Sequence, residues 1–344
     1  METLLKIKNL SIGIQRETEL LSSVEDISFD IYPGEIVGLA GESGSGKSLT
    51  ALSIAGLLGE NKKITSGAIL FRRNTDGSGE VAGEASGKNK AAVDLLTLPE
   101  RELQKIRGRE ISIIFQEPFS SLNPLLTVGS QVAETLELHG EKDKALNKNR
   151  VQELMEKLGL PEPEKLFNAY PYQLSGGMCQ RVMIALAVIC RPRLLIADEP
   201  TTALDFNTQS QILTLMKEIN RDMGTSILFI SHDLGIIKNF CDRVLIMYSG
   251  RILEEGRAEE IFSNPAHEYT RGLLASIPNG THKGKDLANI PGKIPSLEEG
   301  RPAGCPFHPR CASSATACKG EFPAARFVSA SHATRCILEE KNDK

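Results

Sequence analysis

The sequence has 344 residues, 40% hydrophobic and 24% charged, an ordinary balance for a globular protein with room for more than one domain. A formal net charge of −4 provides no global basic field, so no nucleic-acid partner is expected. The longest apolar run, 182–190, is too short to span a bilayer, and residues 1–6 lack the pattern of a secretion signal, so the chain is expected to be cytoplasmic and to reach a membrane only through a partner.

Residues 4–14 and 24–31 alternate apolar and polar side chains, as half-buried strands do. Residues 35–40 read as a buried strand that runs into Gly41-Glu42-Ser43-Gly44-Ser45-Gly46-Lys47-Ser48, a match to G-x-x-x-x-G-K-[ST]. In such a loop the glycines let backbone N–H groups close around phosphate oxygens, and the following helix adds the partial positive charge of its N-terminus. That helix is expected from Lys47 to about Leu58. Lys47 would neutralise the β- and γ-phosphates, Ser48 would hold Mg²⁺, and Leu49 would close the nucleotide-contacting stretch.

A short strand is expected at 68–71. Residues 74–91, rich in Gly, Ser, Asn, Asp and Lys, read as a hairpin tip or flexible insertion. After a buried strand at 111–115, ending beside Gln116, the pattern over 117–190 is mostly helical, with a break near 159–163. Strands at 194–197 and 226–230 are apolar on both faces, the mark of a parallel sheet. The first ends at Asp198 and Glu199. One of these carboxylates can serve a metal ion and the other can polarise an attacking water. His232 follows the second strand and can bond a γ-phosphate or orient Glu199, and the Gln116 amide can reach both metal and water. Residues 244–248 and 250–256 read as a hairpin. The whole is an α/β fold: a mainly parallel core, an N-terminal antiparallel sheet and a helical insertion. From about 266 proline and glycine become frequent and long periodic stretches vanish. The expected units are 1–265 and an extension, 266–344, with no internal repeat.

Taken in order, these pieces resemble the nucleotide-binding subunit of an ABC transporter over about residues 4–260. The resemblance makes Gly41–Ser48 the Walker A loop, Gln116 the glutamine loop, and Leu174-Ser175-Gly176-Gly177-Met178 the signature. It makes Asp198 the end of the Walker B strand, Glu199 the catalytic base, Ala203-Leu204-Asp205 the D-loop and His232 the switch histidine. It implies that Ser175, Gly176 and Gly177 of one subunit contact ATP held by the Walker A loop of another, with Asp205 at the same junction. The family usually stacks adenine on an aromatic near the end of the first strand. That position falls at Ile14, which leaves apolar contact without π-stacking. Cys179 stands where a basic residue is common.

Finer details resemble the dipeptide/oligopeptide and nickel import ATPases: the run 116–124 after the glutamine loop, 170–173 before the signature, and the tail segments 264–274 and 304–311. The resemblance implies a second, non-identical ATPase subunit, two transmembrane permease subunits and, indirectly, an extracytoplasmic solute-binding protein, with this chain on the cytoplasmic face of the membrane. The implied function is ATP hydrolysis that energises uptake of dipeptides or oligopeptides; a nickel-import ATPase of the same subgroup and a soluble, non-transport ABC ATPase are the alternatives.

Four of the seven cysteines crowd into the tail as Cys305-x5-Cys311-x6-Cys318-x17-Cys336. This lacks the tight knuckles of structural zinc sites, and Cys305 is followed by proline, as recurs at iron–sulfur sites. A [4Fe–4S] cluster is therefore preferred over Zn²⁺, for which His308 and His332 are spare ligands; free or redox-labile thiols are the third reading. The expected role is a structural staple.

Overall fold

The computed structural model describes residues 2–17, 19–73, 92–202, 204–277 and 289–338. The expected insertion at 74–91 and Ala203 lie outside them. The strands are β1 (Leu5–Arg16), β2 (Glu19–Ile31), β3 (Ile36–Ala40), β4 (Lys62–Arg72), β5 (Ala92–Asp94), β6 (Ile111–Ile114), β7 (Leu194–Asp198), β8 (Ser226–Ser231), β9 (Arg243–Tyr248), β10 (Arg251–Arg257), β11 (Arg326–Phe327) and β12 (Ala333–Thr334).

An antiparallel sheet in the order β2-β1-β4-β5 carries the N-terminal half-buried strands. The strand expected at 68–71 is the last part of β4. Its first half, Lys62 to Gly67, is largely exposed and so lacks an apolar signal, yet its backbone pairs with β1. Register shifts along β1 explain why its apolar alternation is imperfect. The helix after the phosphate loop is shorter than expected, Lys47–Ile54, and is capped at Ala55.

The second sheet runs β11-β12-β10-β9-β3-β8-β7-β6. Strands β9, β3, β8, β7 and β6 are mutually parallel, and β3, β7 and β8 are buried throughout. One apolar face packs against the antiparallel sheet and the helix Lys47–Ile54, through Leu39, Ala51, Ile196 and Leu228. The other packs against helices, through Leu195, Ile212, Ile227 and Phe229.

Residues 117–190 form the expected helical block, with helices Val128–Leu138, Lys144–Lys157 and Gly176–Val188. Thr127, Asp143 and Ser175 cap them, each accepting a backbone N–H with its side chain. Val132, Val151, Met155 and Val182 meet in their shared core. The break at 159–163 falls where Glu162 takes a left-handed conformation before Pro163.

The tail does not stand apart. Strand β12 pairs with β10 at the sheet edge, so the extension adds two antiparallel strands to the main sheet. Glu254 of β10 is 0% exposed and anchors this join. Its oxygens accept from the Ala266 N–H at 2.6 Å and the His267 N–H at 3.0 Å, and His332 Nε2 lies 2.7 Å away. Arg301 reaches back to pair with Glu25 of β2, and Arg16 of β1 pairs with Glu298.

Candidate nucleotide site

Four adjacent parallel strands, β3, β8, β7 and β6, end at one edge of the sheet, and each delivers a predicted residue there. Ala40 is level with Ser231, Asp198 with Ile230, and Ala197 with Ile114. The phosphate loop, His232, the Asp198–Glu199 pair and Gln116 therefore emerge side by side at the carboxyl ends of the strands, where open α/β sheets take ligands.

The loop is shaped by close approach. At Gly41, with φ +151°, a Cβ would sit 2.0 Å from the Met247 carbonyl oxygen, and Gly46 caps the helix at φ +104°, a conformation that side-chain-bearing residues rarely adopt. Lys47 is buried, with Nζ donating to the carbonyls of Gly41 at 2.8 Å and Glu42 at 2.9 Å. Burial pulls its pKa down, against the opposing pull of Glu199, Asp198 and Glu42. Ser43, Gly44 and Ser48 are exposed, whereas Ser45 is buried and Leu49 packs against the core below.

Asp198 is 8% exposed, and its Oδ1 has no hydrogen-bond partner. Burial raises its pKa; a hydrogen bond from Ser48 and the charge of Lys47 only partly offset this, and Glu199 adds to the rise. A buried, underused carboxylate oxygen beside a serine hydroxyl is a donor set that fits Mg²⁺.

Glu199 takes a left-handed φ of +48°, which aims its side chain across the strand ends. Gln116 Nε2 donates to its Oε2 at 3.1 Å and the Thr202 hydroxyl donates to the same oxygen at 3.0 Å, while His232 Nδ1 lies 3.0 Å from Oε1. Burial alone would raise this carboxyl, but the bonds from His232 and Thr202 outweigh it and hold the pKa below the usual glutamate value. Glu199 is thus a tethered carboxylate biased toward its ionised form.

The signature residues and Asp205 form a second constellation, built on helix N-termini. Ser175 caps Gly176–Val188 by accepting from the Met178 N–H at 3.3 Å. Asp205 caps the helix Phe206–Met223, accepting from the Asn207 and Thr208 amides and from the Thr208 hydroxyl at 2.6 Å. A Cβ on Gly177 would meet Thr208 Cγ2 at 2.9 Å, so the N-terminal turns of the helices Gly176–Val188 and Phe206–Met223 pack against each other. Ile14 lies half-buried near the end of β1, paired with Leu21 and Lys62. Cys179 is buried in the helical core, its Sγ 3.5 Å from the Pro171 carbonyl oxygen.

Sequence reasoning missed Thr202, Tyr269 and Arg310. Thr202 has no spacing rule to mark it. Tyr269 accepts the Glu42 N–H at 3.0 Å, and Arg310 pairs with the Glu42 carboxylate at 3.0 Å. Both lie in tail segments whose sequence carried the subgroup resemblance but gave no sign of contact with the phosphate loop.

Cys305, Cys311, Cys318 and Cys336 line one cavity, with His308 at its wall. His332 faces Glu254, which removes it from the ligand list. Among the described residues, no three His, Cys, Asp or Glu side chains could hold a metal ion as they stand, so the zinc and iron–sulfur expectations gain no preformed ion site. No helix among the described residues is long and apolar enough to cross a membrane.

Comparison with known proteins agrees with the site. Residues 24–202 match the ABC transporter family, and residues 253–318 match the oligopeptide/dipeptide transporter C-terminal region. The chain is 43% identical over 319 residues to the oligopeptide transport ATP-binding protein OppD of Haemophilus influenzae, covering 93% of this chain and 92% of that one. It is 42% identical over 342 residues to the dipeptide transport ATP-binding protein DppD of Bacillus subtilis, covering 99% and 96%. Among solved structures it resembles the ATP-binding cassette MJ0796, captured as a dimer bound to ADP and Pi, with TM-score 0.61 and 29% identity over 74% of this chain and 98% of that one. The chain belongs to the ABC transporter ATPases. Within them its relatives are peptide-transport ATP-binding proteins, which share both its cassette and its C-terminal region.

Proposed function

We propose that this protein is the ATP-hydrolysing subunit of an importer for dipeptides or oligopeptides. The observation that carries the ATPase chemistry is the Glu199 carboxylate, ionised and tethered on three sides beside Lys47 and the Ser48–Asp198 pair. The phosphate loop binds the triphosphate, and Lys47 leaves its own loop carbonyls to neutralise the β- and γ-phosphates. Ser48, Asp198 and Gln116 would hold Mg²⁺, which would supply charge neutralisation of the phosphate oxygens. Glu199 accepts the proton of the attacking water, while His232 and Gln116 keep its carboxylate oriented. Ser175, Gly176 and Gly177 present free helix N–H groups to the γ-phosphate held by a facing subunit.

Support for membrane partners comes from the exposed apolar residues on either side of Gln116. Phe115 is 41% exposed and Leu125 81%, a surface that suits a permease. The matched peptide-transporter tail favours peptides over nickel, and pairing with a second, non-identical ATPase follows the same resemblance. The chain then sits on the cytoplasmic face of the membrane, held by its permeases. We read residues 1–265 as the nucleotide-binding body and 266–344 as an extension fastened to it.

We also infer that the four tail cysteines hold a [4Fe–4S] cluster. Support comes from the convergence of four thiols on one cavity. A cubane spreads its thiolates more widely than the donors of a single zinc ion. Anaerobically purified protein should be brown, with broad absorbance near ~400 nm and iron and sulfide in equal amounts. Colourless, iron-free protein would defeat the assignment.

The ATPase reading is tested with Glu199→Gln. ATP binding should persist while turnover falls by roughly 10²–10⁴-fold, the range for loss of a general base. Hydrolysis at the normal rate would show that another group activates the water. Peptide-stimulated ATPase activity of the reconstituted complex tests the importer assignment.

A further inference from the structure

The tail touches the phosphate loop directly. Glu42, the residue after Gly41, carries a negative charge inside a loop that must receive a triphosphate. Arg310 Nη1 donates to both Glu42 carboxylate oxygens, at 3.1 and 3.0 Å. The arginine side chain is 7% exposed and fixed in place. Its Nε donates to the Pro291 carbonyl at 2.8 Å, Nη1 also reaches the Tyr248 hydroxyl at 3.4 Å, and the guanidinium lies 5.7 Å from the centre of the Tyr248 ring. From the other side the Tyr269 hydroxyl accepts the Glu42 backbone N–H. Tyr248, Tyr269 and Phe307 pack edge to face behind these contacts, with ring centres 4.7–5.4 Å apart.

We propose that Arg310 and Tyr269 are positioning residues for ATP: Arg310 neutralises Glu42 and Tyr269 pins its backbone, so that the tail keeps the phosphate loop receptive to a polyanion. Without Arg310 the Glu42 carboxylate would face the incoming phosphates unpaired, across a partly buried site that screens charge poorly. Arg310 sits next to Cys311 and Phe307 two residues after Cys305, so the ordering of the cysteine cavity and the state of the phosphate loop share one segment of chain. The inference rests on the nucleotide-site reading and adds the tail to that site.

The test is the equilibrium affinity of the full-length chain for Mg-ATP. Arg310→Ala should weaken binding about tenfold, as expected on losing a two-oxygen charge-assisted pair. Arg310→Lys, which keeps the charge, should recover most of the loss. Glu42→Gln placed in the Arg310→Ala background should also recover it, because the carboxylate that Arg310 offsets is gone. A purely structural role would leave the double variant no better than Arg310→Ala. The proposal is overturned if Arg310→Ala binds like the parent chain, or if Glu42→Gln fails to rescue it. Should Arg310→Ala not fold, Tyr269→Phe decides: it keeps the buried ring and removes only the acceptor, and unchanged affinity would refute the positioning role. A parent chain that binds no ATP would instead sink the nucleotide-site reading.

Discussion

Asp198 is placed where its own charge is a cost to the fold. It is buried, one oxygen is unpartnered, and burial and Glu199 together push its pKa up. Groups so arranged mark sites where function is kept at the expense of stability. Replacing it with the isosteric, neutral Asn should raise the melting temperature in Mg²⁺-free buffer by a few degrees and abolish the Mg²⁺ dependence of ATP binding. A melting temperature that falls instead would mean that the Ser48 bond and the Lys47 charge outweigh desolvation. Glu199 is the counterpart: its left-handed backbone and three side-chain partners hold an ionised carboxylate in a geometry that no preference of glutamate would select.

At the scale of elements, the helix Gly176–Val188 rests on a single cap. Ser175→Ala leaves the Met178 N–H without its acceptor and should cost about 1 kcal/mol of stability, typical of a lost serine cap. If, as proposed, the same N-terminus serves the phosphate of a facing subunit, the effect on ATP-driven association of two subunits should be far larger than that cost. Comparable losses in the two measurements would reduce Ser175 to a cap. The elements show what a linear reading can reach. Strands β3, β7 and β8 were legible because burial on both faces leaves an uninterrupted apolar run, and the phosphate loop because its glycines are dictated by close approach. The first half of β4 was hidden, since a strand whose side chains face water pairs by backbone alone. Thr202, Tyr269 and Arg310 were hidden for another reason: each acts on the site across a long sequence separation or from a turn, and no periodicity encodes a contact of that kind.

The whole molecule is closed by its last segment. Strand β12, the ion pairs Arg301–Glu25 and Arg16–Glu298, and the Glu254 bonds all join the tail to the body. Ending the chain at residue 265 should leave β10 as a bare edge and Glu254 without its partners, two features that promote aggregation. The expected result is mostly insoluble protein on expression, checked by the soluble yield beside the full chain; a soluble, cooperatively melting product would show that the body is self-sufficient. The buried Glu254 also has a consequence in time. Its partner His332 is made 78 residues after it. At ~5–20 residues per second of synthesis, that carboxylate waits roughly 4–16 s for its last neighbour. Until β12 is in place, the β10 edge stays open to pairing with other strands. Docking of β12 is thus a late step of folding: the Glu254 carboxylate gains its full set of partners only once residue 332 is in place.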